Sequence, residues 1–198
     1  MIEFIIGSSL AASAGLNAWM PLFLLGLSDR LIPAVDLPGG WAWLSSDIAL
    51  WIVGALLVLE IVADKVPALD SVNDIVQSVL RPASGGIAFG AGSSAQTVAV
   101  DDPSTFFTES TWAPIVAGIA IALVVHVVKA TGRVAANTAT AGLAAPVLST
   151  VEDGASFALA AAAIVVPVLA LVLLIGLAVA AVILVRRRRA RRREGATT

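Results

Sequence analysis

The stretch LEIVADKVPALDSVNDIVQSVLRP, residues 59–82, places charged side chains at the end of an apolar run. The run is Ile48–Leu59, and the charged residues that follow are Glu60, Asp64, Lys65, Asp70, Asp74 and Arg81. Ionisable groups are costly inside a bilayer, where they face the bundle interior, a partner or a water-filled cavity. The stretch therefore predicts either a functional site or a structural ion-pair network, and the sequence leaves both open.

The composition of the whole chain is that of an integral membrane protein. Its 198 residues are 59% hydrophobic and 13% charged, whereas a soluble domain carries roughly 25% charged residues. Cysteine is absent from the sequence, which excludes disulfides, thiol catalysis and cysteine-ligated metal sites. Residues 1–4 lack the basic region of a cleaved signal peptide, so we expect the first apolar segment to be retained.

Apolar segments predict an all-α, polytopic membrane helix bundle with four to six crossings, since one crossing takes about 20 residues. The clear candidates are Glu3–Leu27, Asp47–Val66, Trp112–Lys129 and Ala155–Val185. Two shorter segments, Ala83–Val100 and Val134–Thr150, are rich in small residues and either span or form re-entrant hairpins. In the last long segment we expect Pro167 and Gly176 to make only kinks.

Charge is distributed unevenly along the chain. Seven of the twelve basic residues lie in the tail, so residues 1–185 carry five basic and thirteen acidic side chains, a net charge of −8. An apolar run that ends in arginines is a positive-inside signal and favours contact with anionic lipid head groups over nucleic acid. We therefore expect a multi-pass inner-membrane protein with a cytoplasmic C-terminus.

Six crossings would separate the basic from the acidic residues. The cytoplasmic side would hold Lys65, Arg81, Lys129, Arg133 and the tail. The opposite side would hold Asp36, Asp47, Asp101, Asp102, Glu109, Glu152 and Asp153, beside Trp41, Trp43, Trp51 and Trp112. Tryptophan is enriched at membrane–water interfaces. Arg30 is the one residue that does not fit.

A shift of 64 residues aligns part of the chain with itself. It superimposes Gly54 on Gly118, Leu59 on Leu123, Lys65 on Lys129, Asn73 on Asn137 and Pro82 on Pro146. The two lysines are the only ones in the chain. We predict a duplicated core with units at about 47–100 and 112–150, within a single membrane domain 1–185 that is followed by an Arg-rich tail 186–198. Transporters are often built from such repeats, with the site at the repeat interface.

The first unit is acidic and the second is basic. Glu60 and Asp64 are four residues apart and project from one helical face, as do Lys129 and Arg133. His126 lies at a depth similar to that of Glu60, about 20 Å into a span. Ion pairing between the two units has two possible roles. The ion pairs either only hold the units together, or they also bind a substrate, proton or ion. A divalent metal on Glu60, Asp64 and His126 is an alternative that the residue types allow, but the single histidine lacks a ligand-spacing motif, and we predict no metal or other cofactor.

Asn17 is the remaining site candidate. It would lie deep in the bilayer, where a polar amide needs a partner, and Gly15 and Pro21 permit a broken helix around it. The alternative is a kinked packing helix in which Asn17 bonds to a neighbouring helix. A Ser–His–Asp hydrolase is disfavoured because the sequence contains no nucleophile elbow, and we do not expect an enzyme.

Together these residues resemble an uncharacterised family of small bacterial integral membrane proteins, the domain of unknown function 4126. The resemblance covers roughly Ser8 to Pro167. The motifs that carry it are Gly15-Leu16-Asn17-Ala18 with Pro21, Glu60 with Asp64-Lys65-Val66-Pro67, Asp70, Asp74, Arg81-Pro82, His126 with Lys129, Pro146 and Glu152-Asp153. Trp19 stands where the family is expected to have tyrosine. The resemblance implies a membrane protein and brings no established activity.

We expect a small transporter or channel-like protein for a small solute or ion. In this interpretation Glu60 and Asp64 take protons or cations, and His126, Lys129 and Arg133 balance them or hold an anion. The alternative is a non-transporting scaffold or envelope-maintenance factor in which the same charges are structural. A homo-oligomer remains open.

The topology is testable because the parent chain contains no cysteine. We expect single cysteines introduced as Lys65→Cys and Ala190→Cys to react with an impermeant maleimide from the cytoplasmic side only. Labelling of the two positions from opposite sides would contradict the six-crossing arrangement.

Overall fold

The computed structural model describes residues 1–103 and 112–194, apart from the side chains of residues 67–74, 184–185 and 187–194. This part of the protein is all-helical and comprises seven α-helices and a short 3-10 helix, Ala42–Ser45. The α-helices are α1 Ile2–Leu16, α2 Met20–Leu31, α3 Asp47–Ala63, α4 Pro67–Ser94, α5 Trp112–Thr140, α6 Ala145–Val165 and α7 Pro167–Glu194.

Helix α1 lies at the centre of the bundle. It packs against α2, α4, α5, α6 and α7, and its residues from Ile6 to Leu16 are buried. Polar side chains on a helix enclosed in this way must be satisfied by neighbouring helices. Ser13 of α1 and Ser156 of α6 do this reciprocally, because each hydroxyl donates to the other residue's carbonyl oxygen, at 2.9 and 3.0 Å.

The first apolar segment is interrupted at Asn17, as the broken-helix interpretation predicts. Asn17 has extended backbone dihedrals of φ −144° and ψ 120°. Its side-chain oxygen accepts hydrogen bonds from the backbone N–H groups of Trp19 and Met20, at 3.2 and 3.0 Å. Pro21 occupies the first turn of α2, where its missing N–H costs little. The amide thus caps α2 and fixes the point at which the chain leaves α1.

The last apolar segment also consists of two helices, so the expectation of mere kinks at Pro167 and Gly176 is wrong at the proline. Val166 leaves the helical conformation at the end of α6, and Pro167 begins α7. Proline favours this position because its ring disfavours a helical conformation in the preceding residue. Gly176 lies within α7.

Neither short apolar segment coincides with a helix of its own. Ala83–Val100 begins inside α4, which continues to Ser94. Val134–Thr150 comprises the end of α5, a turn and the start of α6. The turn contains Ala141 and Gly142 with positive φ values of 50° and 86°. Left-handed residues reverse a chain after a helix, so α5 and α6 are successive helices joined by a tight connection.

The helix boundaries do not confirm the predicted duplication. In the first unit the chain breaks between Ala63 and Pro67, around Lys65. In the second unit α5 continues past Lys129 to Thr140. The two breaks are therefore out of register under the 64-residue shift that aligns the two lysines.

Glycine residues bring α4 and α5 into close contact. A Cβ atom built on Gly118 would lie 2.2 Å from the backbone oxygen of Gly85, and one on Gly85 would lie 2.3 Å from Cβ of Ala122. Small residues allow this approach in membrane bundles. The glycines of α4 thus serve packing within a continuous helix.

Two of the described helices, α5 and α6, are long and apolar enough to cross a membrane, and α1 and residues Pro167–Ile183 of α7 are shorter apolar helices. Large apolar side chains are exposed on the outside of the bundle, including Trp51 and Trp112 at 80% and 73%. Soluble proteins rarely expose large contiguous apolar patches, so this surface is consistent with membrane association.

The contact between α4 and α5 leads to a stability prediction. Gly118→Ala should destabilise the protein by about 1–3 kcal/mol, because the added methyl group overpacks the interface. The matched control is Gly176→Ala, where no atom lies within 4 Å of the new Cβ. Thermal unfolding in detergent should show a lower midpoint for the first variant only. Equal midpoints for both variants would contradict the close approach.

Candidate functional site

Asp64 is the point at which the buried cations converge. Its Oδ2 atom lies 3.5 Å from Arg81 Nη2, 3.4 Å from Lys129 Nζ and 3.4 Å from Arg133 Nη2. The side chains of all four residues are at most 1% exposed. Asp64 follows α3 directly, as its C-cap residue. One carboxylate thus connects the end of α3 with α4 and α5.

Glu60 lies one turn before Asp64 and binds both a side chain and the backbone. Arg81 Nη2 donates to Glu60 Oε1 at 3.0 Å, and the N–H of Ala18 donates to Oε2 at 3.0 Å. Arg81 Nη1 lies 3.1 Å from Nδ1 of His126. Arginine can only donate, so this ring nitrogen is the acceptor of a neutral imidazole. Arg81 thus joins α3 to α5 from within α4.

Lys129 and Arg133 share a second carboxylate, that of Glu152 on α6. Lys129 Nζ lies 3.2 Å and Arg133 Nε 3.1 Å from the same Oε2 atom. Lys129 Nζ also donates to the carbonyl oxygen of Leu16 at 2.6 Å. Leu16 is the last residue of α1, and a cation is favourable at the carbonyl end of a helix. Lys129 therefore stabilises one side of the α1–α2 break.

Asp153 connects Asn17, at the break between α1 and α2, to the partly exposed Lys65. The side-chain amide of Asn17 donates to Asp153 Oδ1 at 3.0 Å, and Lys65 Nζ lies 3.1 Å from Asp153 Oδ2. Lys65 is 35% exposed at its side chain, whereas Asp153 is 12% exposed. This ion pair forms the partly accessible end of the network.

These contacts form two sets that meet at the α1–α2 break, and together they are here called the charge cluster. Its members are Asn17, Glu60, Asp64, Lys65, Arg81, His126, Lys129, Arg133, Glu152 and Asp153. With His126 neutral, four carboxylates balance four cations. A buried charge without a partner costs several kcal/mol, so this balance is what allows so many ionised groups inside an apolar bundle.

The cluster contains most of the site residues predicted from the sequence, and the predicted pairing between acidic and basic units is present. Asp64 of the first unit contacts Lys129 and Arg133 of the second. The side chains of the other two candidates, Asp70 and Asp74, lie outside the described residues.

Glu152 and Asp153 were not predicted as site residues. The six-crossing arrangement places them opposite the lysines, whereas in the structure Glu152 contacts Lys129 and Asp153 contacts Lys65, because the chain reverses between α5 and α6. Their presence in the family motif was the one available signal. The break at Asn17 likewise supplies two backbone groups, Leu16 C=O and Ala18 N–H, that no side-chain pattern indicates.

A groove of about 650 Å³ lies beside the cluster, between α5 and α7. Lys129, Arg133 and Glu152 form part of its wall, together with apolar residues of α1, α5, α6 and α7. Glu60 and Asp64 are not among the described wall residues and instead contact packed partners. The cluster is therefore accessible from the groove at its Glu152 side.

The described side-chain positions do not bring Glu60, Asp64 and His126 together as three ligands of one metal ion. Within residues 1–103 and 112–194, no three His, Asp or Glu side chains with described positions are grouped to hold a metal ion. His126 instead faces the guanidinium of Arg81.

A family model described as a domain of unknown function, DUF4126, matches residues 4–187. The chain belongs to this family. The matched region includes every member of the charge cluster, and the match confirms the resemblance to this family. Neither the comparison with curated proteins nor the comparison with solved structures finds a match.

The pairing of Glu60 with Arg81 leads to a test by substitution. Arg81→Gln should cost about 3–5 kcal/mol, because it leaves a buried carboxylate without its charged partner. The double variant Glu60→Gln/Arg81→Gln should recover most of this loss. Thermal unfolding in detergent measures both effects.

The control is Asp47→Asn at the exposed pair Arg30–Asp47, whose side chains are 49% and 73% exposed. Exposed pairs contribute about 0–1 kcal/mol, so its midpoint should barely change. A double variant no more stable than Arg81→Gln would argue against a specific Glu60–Arg81 pair.

Proposed function

We propose that this DUF4126 protein is a small inner-membrane transporter or channel-like protein that moves a small solute or ion past the charge cluster. The observation that carries the proposal is the groove, which meets the cluster at Lys129, Arg133 and Glu152. An accessible cavity that ends on buried, balanced charges offers a solute both an entry path and groups to bind.

The break between α1 and α2 supports this proposal. Transporters commonly form their sites at discontinuous helices, where helix ends and unwound backbone bind substrates and ions. Here the freed groups at the break are already bound by protein side chains, with Lys129 on Leu16 and Glu60 on Ala18. The arrangement is that expected of an occluded state, in which protein charges occupy the positions that a solute takes during transport.

The cost of the cluster is a second argument. Apolar packing can hold helices together as well as a buried ion network, without the desolvation penalty of eight charges. Glu152 is the most accessible of the carboxylates that contact Lys129 or Arg133, at 15% side-chain exposure against 1% for Asp64. We therefore propose that Glu152 is the carboxylate that releases Lys129 and Arg133 during transport. Glu60, Asp64 and Arg81 keep their contacts throughout.

The proposed topology follows the charge distribution. The Arg-rich tail lies on the cytoplasmic side, against anionic lipid head groups. Because α5 runs towards the turn at 141–144 and α6 returns from it, Lys129, Arg133 and Glu152 belong to the same half of the bundle. We propose that this half is the cytoplasmic one, in a multi-pass protein with no catalytic activity.

A structural role for the same charges is the second candidate. It is favoured by the enclosure of Glu60 and Arg81, whose side chains are 1% and 0% exposed and pair with each other. In a non-transporting scaffold or envelope-maintenance factor, the cluster would serve only to join α1, α3, α4, α5 and α6.

Flux measurements separate the two functions. Purified protein in liposomes is assayed with pyranine for protons, lucigenin for chloride and an NBD-labelled lysophosphatidylglycerol with dithionite for an anionic lipid. We expect the wild type to accelerate at least one of these fluxes over empty liposomes. The neutral pair Lys129→Gln/Glu152→Gln should reduce that flux at least tenfold while the protein still inserts and unfolds cooperatively.

The matched control is Arg30→Gln/Asp47→Asn, which neutralises an exposed pair outside the cluster and should leave flux unchanged. A wild type that moves none of the three probes would contradict transport in favour of a scaffold. Full flux through the Lys129/Glu152 variant would exclude this part of the cluster from the path.

A further inference from the structure

The groove is elongated along α5. Its wall on this helix runs from Ala120 to Ala136, which is about 24 Å at 1.5 Å per residue. Half of a bilayer's hydrocarbon core is about 15 Å thick. The opposite wall is built from Leu174, Leu177, Ala178, Ala180 and Ala181 of α7. A compact polar solute would leave most of this length uncovered, whereas a hydrocarbon chain can lie along its apolar stretch from Ala120 to Val128, which is about 12 Å long.

The charged wall residues lie in one half of the groove. On α5 the wall is apolar from Ala120 to Val128, and Lys129 and Arg133 follow towards the end of the helix. On α7, Arg186 comes five residues after the wall residue Ala181, about 7.5 Å further along the helix. The groove is therefore apolar over most of its surface, and at one end its wall contains the buried cations Lys129 and Arg133, paired with Glu152. An anionic amphiphile fits this pattern when its head group replaces Glu152 as the partner of the two cations.

We infer that the groove binds one single-chain anionic lipid, with its acyl chain between α5 and α7 and its phosphate against Lys129 and Arg133. This inference rests on the proposed transport function and makes its substrate an amphiphile with a small anionic head group instead of a free solute or ion. In the absence of lipid, the Glu152 carboxylate occupies the position of the phosphate, 3.2 Å from Lys129 and 3.1 Å from Arg133. Lipid and Glu152 compete for the same two cations.

The volume is consistent with a single ligand of this kind. At about 650 Å³, the groove lies within the roughly 300–1,000 Å³ typical of small-molecule sites. Bidentate contact with a guanidinium and an ammonium suits phosphate oxygens. The narrow apolar wall, lined by alanine and aliphatic residues of α5 and α7, favours a single acyl chain over a second protein helix.

Three probes separate the head group from the chain. Native mass spectrometry of the detergent-solubilised full chain is carried out with palmitoyl lysophosphatidylglycerol, with palmitoyl lysophosphatidylcholine and with glycerol 3-phosphate. We expect one lysophosphatidylglycerol per chain, bound at least tenfold more tightly than the zwitterionic lipid of equal length. Glycerol 3-phosphate should not bind detectably, because it has no chain to fill the apolar part.

Substitutions that leave the fold intact test the position of the lipid. Gly132 lies in the groove wall and has no atom within 4 Å of a built Cβ. Gly132→Leu should therefore fill the groove without strain and weaken binding at least tenfold. Gly154→Leu is the matched control, since it also has no atom within 4 Å and is not a wall residue. It should bind as the wild type does.

Glu152→Gln tests the competition directly. Removal of the competing carboxylate should tighten lysophosphatidylglycerol binding about tenfold and leave lysophosphatidylcholine binding unchanged. Equal binding of the two lipids, unchanged binding by Gly132→Leu, or weaker binding by Glu152→Gln would each overturn the inference. Binding that follows all the expectations without any flux in liposomes would overturn transport and leave the lipid site intact.

Discussion

The structure depends on how an interrupted helix is accommodated in an apolar bundle. Helix α1 ends at Leu16 among packed neighbours, where the free carbonyl and N–H groups of the buried break need hydrogen-bond partners from the protein. Lys129 binds the carbonyl of Leu16, and Glu60 binds the N–H of Ala18. A cation at the carbonyl end of one helix and an anion at the N–H end of the next also match the two helix dipoles. The two backbone ends thus require two buried charges of opposite sign.

The rest of the charge cluster follows from these two charges. Buried Glu60 needs a cation, which Arg81 supplies, and buried Lys129 needs carboxylates, which Asp64 and Glu152 supply. Arg81 reaches His126 because glycines let α4 lie close against α5. Helix packing and polar contacts therefore depend on each other: loss of the glycine contact would separate Arg81 of α4 from His126 of α5.

The sequence predicts the helical class, the membrane composition and eight of the cluster's ten members, because spacing along one helix determines which side chains share a face. The sequence does not predict the contact between Lys129 and Glu152, which forms only because the chain reverses between α5 and α6. The left-handed residues at Ala141 and Gly142 return the chain early and bring Glu152 to Lys129, and neither residue is distinctive in an alanine-rich segment. The predicted duplication rests on five identical residues under a shift of 64 positions. The helix breaks around Lys65 and after Thr140 do not coincide under that shift. The long apolar segment around Pro167 predicts one kinked helix, whereas in the structure Pro167 begins a separate helix.

The central claim is that Lys129 is held between carboxylates inside the bundle, and solid-state NMR can measure this directly. Lys65 and Lys129 are the only lysines, so protein labelled with ¹⁵N-lysine and ¹³C-carboxyl Asp and Glu gives two ammonium signals in lipid bilayers. Both signals should be strongly dephased by carboxyl carbons, since both Nζ atoms lie within 3.4 Å of carboxylate oxygens. Only the Lys65 signal should exchange rapidly with water, because its side chain is 35% exposed and that of Lys129 is 1% exposed. A Lys129 signal without carboxyl dephasing, or in rapid exchange with water, would contradict the account.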